Sequence, residues 1–199
     1  SMRGVSGKSA EAMDVLESAL VRNGIAKPSI DLADVPVIPA NFCRAVEAFN
    51  AIRAAGEGRF SVKQRKFEMD ILPPTANDAG KLGAIAVLEM DMHALQEDIT
   101  LIGLKEDGEM IQLPVNDAVI KQYWVPIGND VYRFNLETTH SGWSGVLVLK
   151  GKGPFSGELL THPGGALSSD WVGEFEKVAK ERGWKAEMVW YKTVDEVAN

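Results

Sequence analysis

The chain has 199 residues, of which 45% are hydrophobic and 25% are charged, and these fractions are typical of a globular protein with a real core. Its formal net charge is −7, which argues against non-specific binding to nucleic acid or anionic lipid, because such binding requires a positive field. Its apolar runs fall far short of the roughly 20 residues that a membrane helix needs, so we expect no transmembrane segment.

The first quarter of the chain, residues 1–58, is predicted to be a helical lead-in with too little apolar surface to fold alone. Apolar residues recur at helical spacing in two segments: Met13, Leu16 and Leu20 in the first, and Phe42, Val46, Phe49 and Ile52 in the second. The single cysteine, Cys43, lies in the second helix between apolar neighbours, so we expect a buried thiol. Residues 59–199 are then predicted to form the main domain.

Beyond Phe60 the apolar residues alternate with polar ones, which is typical of strands with one buried face. The alternation changes phase between Lys63 and Lys66, where we predict a bulge or turn and a candidate sheet edge. Asp107-Gly108 predicts a hairpin between two apolar strands. The predicted strands after this break lie near residues 84–92, 99–104, 110–113, 118–125, 131–138, 146–149 and 184–191.

A helix is predicted between the last two strands, because Ser168 or Ser169 can cap its start and Gly183 can end it after Arg182. The fold class is therefore α+β and mainly β. We expect an antiparallel Ig-like β-sandwich with an N-terminal helical lead-in and a C-terminal helix and strand.

Catalytic motifs do not emerge from the sequence. Gly151-Lys152-Gly153 lacks the spacing and the following hydroxyl residue of a phosphate loop. The segment Gly142-Trp143-Ser144-Gly145 has its second glycine one residue too early for a nucleophile elbow, so we predict a hairpin bend there. His140 is near enough in sequence to contact Ser144, which leaves an acyl-transfer dyad open as an alternative. We predict no catalytic residue and no cofactor.

Two further sets of residues are candidates for binding. Glu89, Asp91 and His93 project from the same face of one predicted strand, and His162 could add a ligand, so a metal site stands beside the alternative of a solvent-facing surface. The candidates for contact with a ligand or partner are Tyr123, Trp124, His140, Trp143 and Ser144. Among these, Tyr123 and Trp124 precede Pro126 in a segment without clear periodicity, where an exposed aromatic pair would be an anchor and a buried one would be core.

The order of features from Ile99 to Pro154 resembles a known family. A hairpin with an Asp-Gly turn precedes Val125-Pro126-Ile127-Gly128, Tyr132-Arg133-Phe134 and a glycine bend, and Lys152-Gly153-Pro154-Phe155 closes the block. This order is similar to that of a domain of unknown function appended to bacterial serine/threonine kinases and caspase-like peptidases. The resemblance implies an Ig-like sensing or ligand-binding module outside a catalytic unit. The chain has neither the kinase signatures nor a Cys–His peptidase dyad, so neither activity transfers.

These observations predict a non-enzymatic ligand-binding or sensor module of a larger bacterial protein, which is kinase-linked if the resemblance holds. Its partner would be an unknown small molecule or protein, in the periplasm or another extracytoplasmic compartment, with the cytoplasm as the alternative. Two other functions stay open. One is a small hydrolase or metal-dependent enzyme on the same sheets, and the other is a structural protein-interaction domain.

Overall fold

Two β-sheets and a set of helices make up the computed structural model, which describes residues 9–24, 40–54, 59–64, 66–93, 97–105, 107–113 and 124–195. The smaller sheet is antiparallel and follows the order β1-β4-β8-β7, with β3 paired to β4 beside β1. Its strands are β1 (Phe60–Val62), β3 (Asp70–Ile71), β4 (Leu82–Asp91), β7 (Trp124–Gly128) and β8 (Val131–Thr138).

Among the described residues, the larger sheet has six strands in the order β10-β6-β5-β9-β11-β2. Its strands are β2 (Lys66–Glu68), β5 (Asp98–Leu104), β6 (Glu109–Leu113), β9 (Gly142–Gly151), β10 (His162–Pro163) and β11 (Lys185–Val194). All its neighbours are antiparallel except β11 and β2, which run parallel. The long strands β9 and β11 pair along nine residues, from Gly142 opposite Thr193 to Lys150 opposite Lys185.

The described residues include the α-helices α1 (Ser9–Arg22), α2 (Cys43–Ala51), α3 (Gly157–Leu160) and α4 (Ser169–Arg182). A short 3-10 helix, Ala40–Phe42, leads directly into α2. The ends of α4 follow the sequence signals, because the Ser168 hydroxyl accepts a hydrogen bond from the Trp171 N–H and Gly183 is left-handed with φ 64°. No helix in the described parts of the chain has the length and apolar character needed to cross a membrane.

The six-stranded sheet is apolar on both faces, because its side chains alternate between two separate clusters. One cluster lies against the smaller sheet and includes Leu101, Val146 and Val148. The other lies against the helices: α2 and α4 meet through Phe49 and Phe175, whose ring centroids are 5.0 Å apart. The chain therefore forms three layers, with the larger sheet in the middle.

The prediction of a mainly β chain is confirmed, and several elements match closely. The strand predicted over residues 131–138 is β8, the predicted Asp-Gly hairpin joins β5 and β6, and the predicted C-terminal helix is α4. The phase change between Lys63 and Lys66 has a simple cause, because β1 belongs to the smaller sheet and β2 to the larger one. Each of these two strands ends the order of its sheet among the described strands, as an edge would.

Two expectations about the first half and the middle of the chain are wrong. Cys43 is exposed, because it begins α2 while Phe42, Ala45 and Val46 take the buried side. The segment Gly142-Trp143-Ser144-Gly145 is extended backbone at the start of β9. Its predicted hairpin bend does not form, because residues 139–141 carry the chain from β8 in one sheet to β9 in the other.

The remaining sequence predictions fall partly outside the described residues. The irregular stretch at 25–38 and most of the strand predicted at 118–125 lie there, whereas β7 begins at Trp124. The division of the chain at residue 58 stays a prediction. Within the predicted lead-in, α2 packs into the helix-side cluster, whereas Val15 and Val21 of α1 are exposed.

Candidate ligand-binding cleft

A cleft of about 230 Å³ lies between the end of β8 and the six-stranded sheet. Residues of β5, β6, β9 and β11 form one wall, and the last residues of β8 form the other. Its apolar lining comprises Leu104, Ile111, Leu113 and Leu136. Gly103 leaves room beside this lining, since a Cβ added there would meet nothing closer than the Ile111 carbonyl oxygen at 3.9 Å.

Two hydroxyl groups lie together in the cleft. Ser144 and Tyr191 face each other as register partners on β9 and β11, and their side chains are hydrogen-bonded. Tyr191 is 2% exposed, and its ring packs edge-on against Phe67 at a centroid distance of 5.8 Å. Burial raises the pKa of Tyr191 to about 12, and the hydrogen bond with Ser144 offsets part of that rise. The phenol is therefore protonated at any physiological pH.

The two carboxylates that line the cleft, those of Asp78 and Glu137, are engaged by contacts within the protein. Glu137 accepts hydrogen bonds from the backbone N–H groups of Asn77, at 2.9 Å, and Asp78, at 3.4 Å. The Asp78 carboxylate forms an ion pair with Lys81. These contacts fix the loop after β3 against the end of β8, and they engage both carboxylates that line the cleft.

His140 lines the same cleft, in the segment that crosses between the sheets. The Thr193 hydroxyl donates hydrogen bonds to the carbonyl oxygens of His140 and Gly142, and the Thr138 hydroxyl accepts one from the His140 N–H at 3.3 Å. Thr193 is buried, so these bonds tie the crossing segment to β11. The structure thus brings His140 and Ser144 to one site, as the dyad alternative requires.

The chemistry of this arrangement favours binding over catalysis. A nucleophilic serine needs a base to take its proton, and a phenol with a pKa of about 12 is not that base at neutral pH. An orienting carboxylate is the third part of a Ser–His site, but Glu137 is engaged by the Asn77 loop. Neutral hydroxyls on an apolar wall are instead the pattern that orients a small bound molecule.

The aromatic candidates fall in different places. Trp124 is 3% exposed and stacks on Phe134 at a centroid distance of 5.0 Å, so it is part of the core between the sheets. Tyr123 lies outside the described residues. Trp143 precedes Ser144 in β9 and therefore projects from the opposite face of the sheet.

The metal candidates on β4 have other partners. Glu89 accepts two hydrogen bonds from the Arg133 guanidinium, the shorter at 2.6 Å. The Asp91 carboxylate accepts a hydrogen bond from the backbone N–H of His93, which is exposed and lies two residues beyond the end of β4. The His93 ring is 3.3 Å from the Asp130 carboxylate.

His162 is remote from these three residues in the fold, because it lies on β10 at one end of the six-stranded sheet. Its Nε2 atom is buried without a hydrogen-bond partner among the described residues. Within that part of the chain, no group of three or more His, Cys, Asp or Glu side chains is arranged to hold a metal ion.

Tyr191 is the residue that the sequence did not point to. The alternation of Ala186, Met188 and Trp190 predicts the last strand, and these residues pack toward the helices, so this pattern assigns no role to Tyr191. One feature of the sequence does indicate a role for Tyr191. Val189 and Tyr191 are apolar or aromatic like the residue between them, and this pattern is typical of a strand that is buried on both faces.

Comparisons with protein-family models, with curated proteins and with solved structures find no match to this chain.

Proposed function

We propose that this chain is a non-enzymatic ligand-binding or sensor module, and that its binding site is the cleft between β8 and the six-stranded sheet. The observation that carries the proposal is the hydrogen-bonded pair of Ser144 and Tyr191 beside an apolar wall. Pockets for small molecules are mostly apolar, with a few polar groups that fix the orientation of the ligand. The volume of about 230 Å³ suits a small molecule.

We also propose the wider setting in which the module works. In this proposal the two sheets form an Ig-like sandwich that senses its ligand in an extracytoplasmic compartment, as part of a larger, kinase-linked bacterial protein. The support is the resemblance of residues 99–154 to the domains appended to kinases and caspase-like peptidases. The full-length gene product tests this setting: an encoded kinase domain or membrane helix upstream would support it, and a gene that encodes this chain alone would contradict it.

A small hydrolase is the second candidate, since His140 and Ser144 line the same cleft. The hydrogen bond of Ser144 to a protonated tyrosine and the engagement of Glu137 by the Asn77 loop weigh against it. An esterase activity that disappears in both Ser144→Ala and His140→Ala would favour the hydrolase over the binding module.

The binding proposal is tested by filling the cleft. Gly103 lies in a strand, and a side chain added there extends toward the cleft, so Gly103→Val should fold while occupying the site. A thermal-shift screen of small metabolites identifies compounds that raise the melting temperature, because a ligand that binds only the folded state stabilises it. We expect those compounds to stabilise the unmodified protein and to lose their effect on Gly103→Val.

The matched control introduces the same side chain elsewhere. Ser61→Val changes an exposed position of β1. This strand is separated from β8 by β4, and Ser61 does not line the cleft. This variant should respond to each compound as the unmodified protein does. Compounds that stabilise Gly103→Val as strongly as Ser61→Val would show that they bind elsewhere, and the proposed site would then be wrong.

A further inference from the structure

We infer that the cleft takes a small uncharged molecule with a hydroxyl or amide group on an apolar body, an inference that rests on the proposed binding function of the cleft. The chemical class follows from three features of the site. These are the neutral hydroxyl pair in the cleft, the pairing of the charges around it, and its apolar lining.

The hydroxyl pair in the cleft offers hydrogen bonds without a charge. Each hydroxyl of the Ser144–Tyr191 pair can donate one hydrogen bond and accept others, so a ligand hydroxyl or amide can join the pair in either role. Because the raised pKa keeps Tyr191 protonated, the pair supplies no countercharge for an ionic ligand. An ion held against it would lose its hydration without gaining an opposite charge.

The charged groups around the cleft already have partners. The Lys105 ammonium is 2.7 Å from the Glu109 carboxylate, and Asp78 is paired with Lys81. Glu137 is held by the backbone N–H groups of Asn77 and Asp78. A ligand anion would have to compete with Glu109 for Lys105, and a ligand cation would have to compete with Lys81 for Asp78. An uncharged ligand leaves all these interactions in place.

The apolar lining of the cleft suits the apolar part of such a ligand. Ile111, Leu113 and Leu136 contribute hydrocarbon surface, and Gly103 contributes open space rather than a side chain. Burial of apolar ligand surface against these residues supplies the driving force, while the hydroxyl pair sets the orientation.

Four probes that share one ring separate the ligand classes: benzyl alcohol, benzamide, benzoate and benzylammonium. Each is titrated into the ¹⁵N-labelled protein at the same mildly alkaline pH. We expect benzyl alcohol and benzamide to shift the amide resonances of Gly103, Ser144 and Tyr191. Benzoate and benzylammonium should bind the cleft at least about tenfold more weakly.

Two variants locate the effect. Gly103→Val should abolish the shifts that benzyl alcohol causes at Ser144 and Tyr191, and Ser61→Val should preserve them. Ser144→Ala keeps the apolar lining and removes one hydroxyl, so it should weaken the uncharged probes by about three- to tenfold. An unchanged affinity of Ser144→Ala for both uncharged probes would overturn the inferred role of the hydroxyl pair.

The remaining outcomes distinguish this inference from the proposed function. If benzoate or benzylammonium binds the cleft as tightly as benzyl alcohol, the inference about charge is wrong and the binding proposal stands. If none of the four probes shifts the cleft residues at concentrations that saturate millimolar binding, both the inference and the cleft-binding proposal are overturned.

Discussion

The paired strands β9 and β11 carry polar side chains at both ends of the face that lies toward the smaller sheet. One end carries Lys150 and Glu187, and the other end carries Ser144 and Tyr191. The side chain of Lys150 is 3% exposed and that of Glu187 is 11% exposed, with their charged atoms 2.9 Å apart. In the second pair Tyr191 is buried and Ser144 is half-buried, and both groups are neutral hydroxyls. Two strands in continuous register therefore bury polar groups in two different ways.

The two pairs differ in whether they can form hydrogen bonds with a ligand. Buried opposite charges stabilise the fold only while both remain in contact, so neither Lys150 nor Glu187 can leave its partner for a ligand at low cost. A hydroxyl pair loses less when it is rearranged, because each hydroxyl both donates and accepts. The cleft adjoins the hydroxyl pair, where an incoming polar group can be accommodated.

The ion pair gives the largest expected effect. Replacing Lys150 by Met removes one charge and leaves Glu187 largely buried opposite an apolar side chain. We expect Lys150→Met to lose about 3 kcal/mol of unfolding free energy, measured by urea denaturation at neutral pH. Ligand binding in the cleft should persist wherever the variant remains folded, since the change lies at the other end of the strands.

A double variant shows whether the uncompensated charge causes that loss. Lys150→Met combined with Glu187→Leu removes both charges and keeps similar side-chain volumes, so it should recover most of the lost stability. If the double variant is as unstable as Lys150→Met, then the loss of stability comes from altered packing around Lys150. The unpaired charge of Glu187 would then not be its cause, and the contrast between the two ends of the strand pair would be wrong.

Neither end of the β9–β11 pair could be predicted from the sequence, although several single elements could. Helix α4 and strand β8 were located from local signals, a serine cap and a left-handed glycine in the first case and clean alternation in the second. Such signals describe single elements. They do not say which strands become neighbours, and that pairing creates both the ion pair and the cleft.

The segment around Ser144 illustrates the limit. Its glycines suggested a hairpin bend, because a bend and a close strand contact both favour glycine. Gly145 in fact lies in β9, where an added Cβ would come within 2.8 Å of the Trp190 ring. That neighbour is far away in sequence, as is Tyr191, so neither the strand nor the hydroxyl pair could be predicted locally.

The hydroxyl pair gives the next effect, and it depends on pH. The pKa of Tyr191 is raised from 10.0 to about 12 by burial, so above pH 10 the unfolded chain ionises before the folded one. The stability contribution is complete below pH 10 and is lost as the pH rises toward 12. The loss across this window is about 2 to 3 kcal/mol, at about 1.4 kcal/mol per pH unit. Tyr191→Phe should not show this part of the loss.

At neutral pH we expect Tyr191→Phe to be about 1 kcal/mol less stable than the unmodified protein, because Ser144 loses its hydrogen-bond partner. The difference should shrink and then reverse as the pH rises, which denaturation curves at several pH values would reveal. Ser144→Ala is the matched control, since it removes the same hydrogen bond but keeps the phenol and thus the alkaline loss. Parallel pH profiles for Tyr191→Phe and the unmodified protein would contradict the assignment.

The smallest expected effect concerns the open space beside the hydroxyl pair, and Gly103→Ala measures it. An alanine Cβ at this position in β5 would have its nearest neighbour, the Ile111 carbonyl oxygen, at 3.9 Å. The folded state can therefore accept the methyl group without strain, while the unfolded chain loses conformational freedom. We expect Gly103→Ala to gain about 0.5 kcal/mol in thermal or urea unfolding.

Gly83 in β4 provides the contrasting position. An added Cβ there would lie 2.7 Å from the Thr138 carbonyl oxygen and 2.8 Å from Leu72, so the backbone must shift. Gly83→Ala should lose about 2 kcal/mol, as overpacked sites do. If Gly103→Ala is destabilised to the same extent, then residue 103 faces packed protein rather than open space. The end of the β9–β11 pair that carries Ser144 and Tyr191 would then be as closed as the end that carries the ion pair, and it would have no room for a ligand.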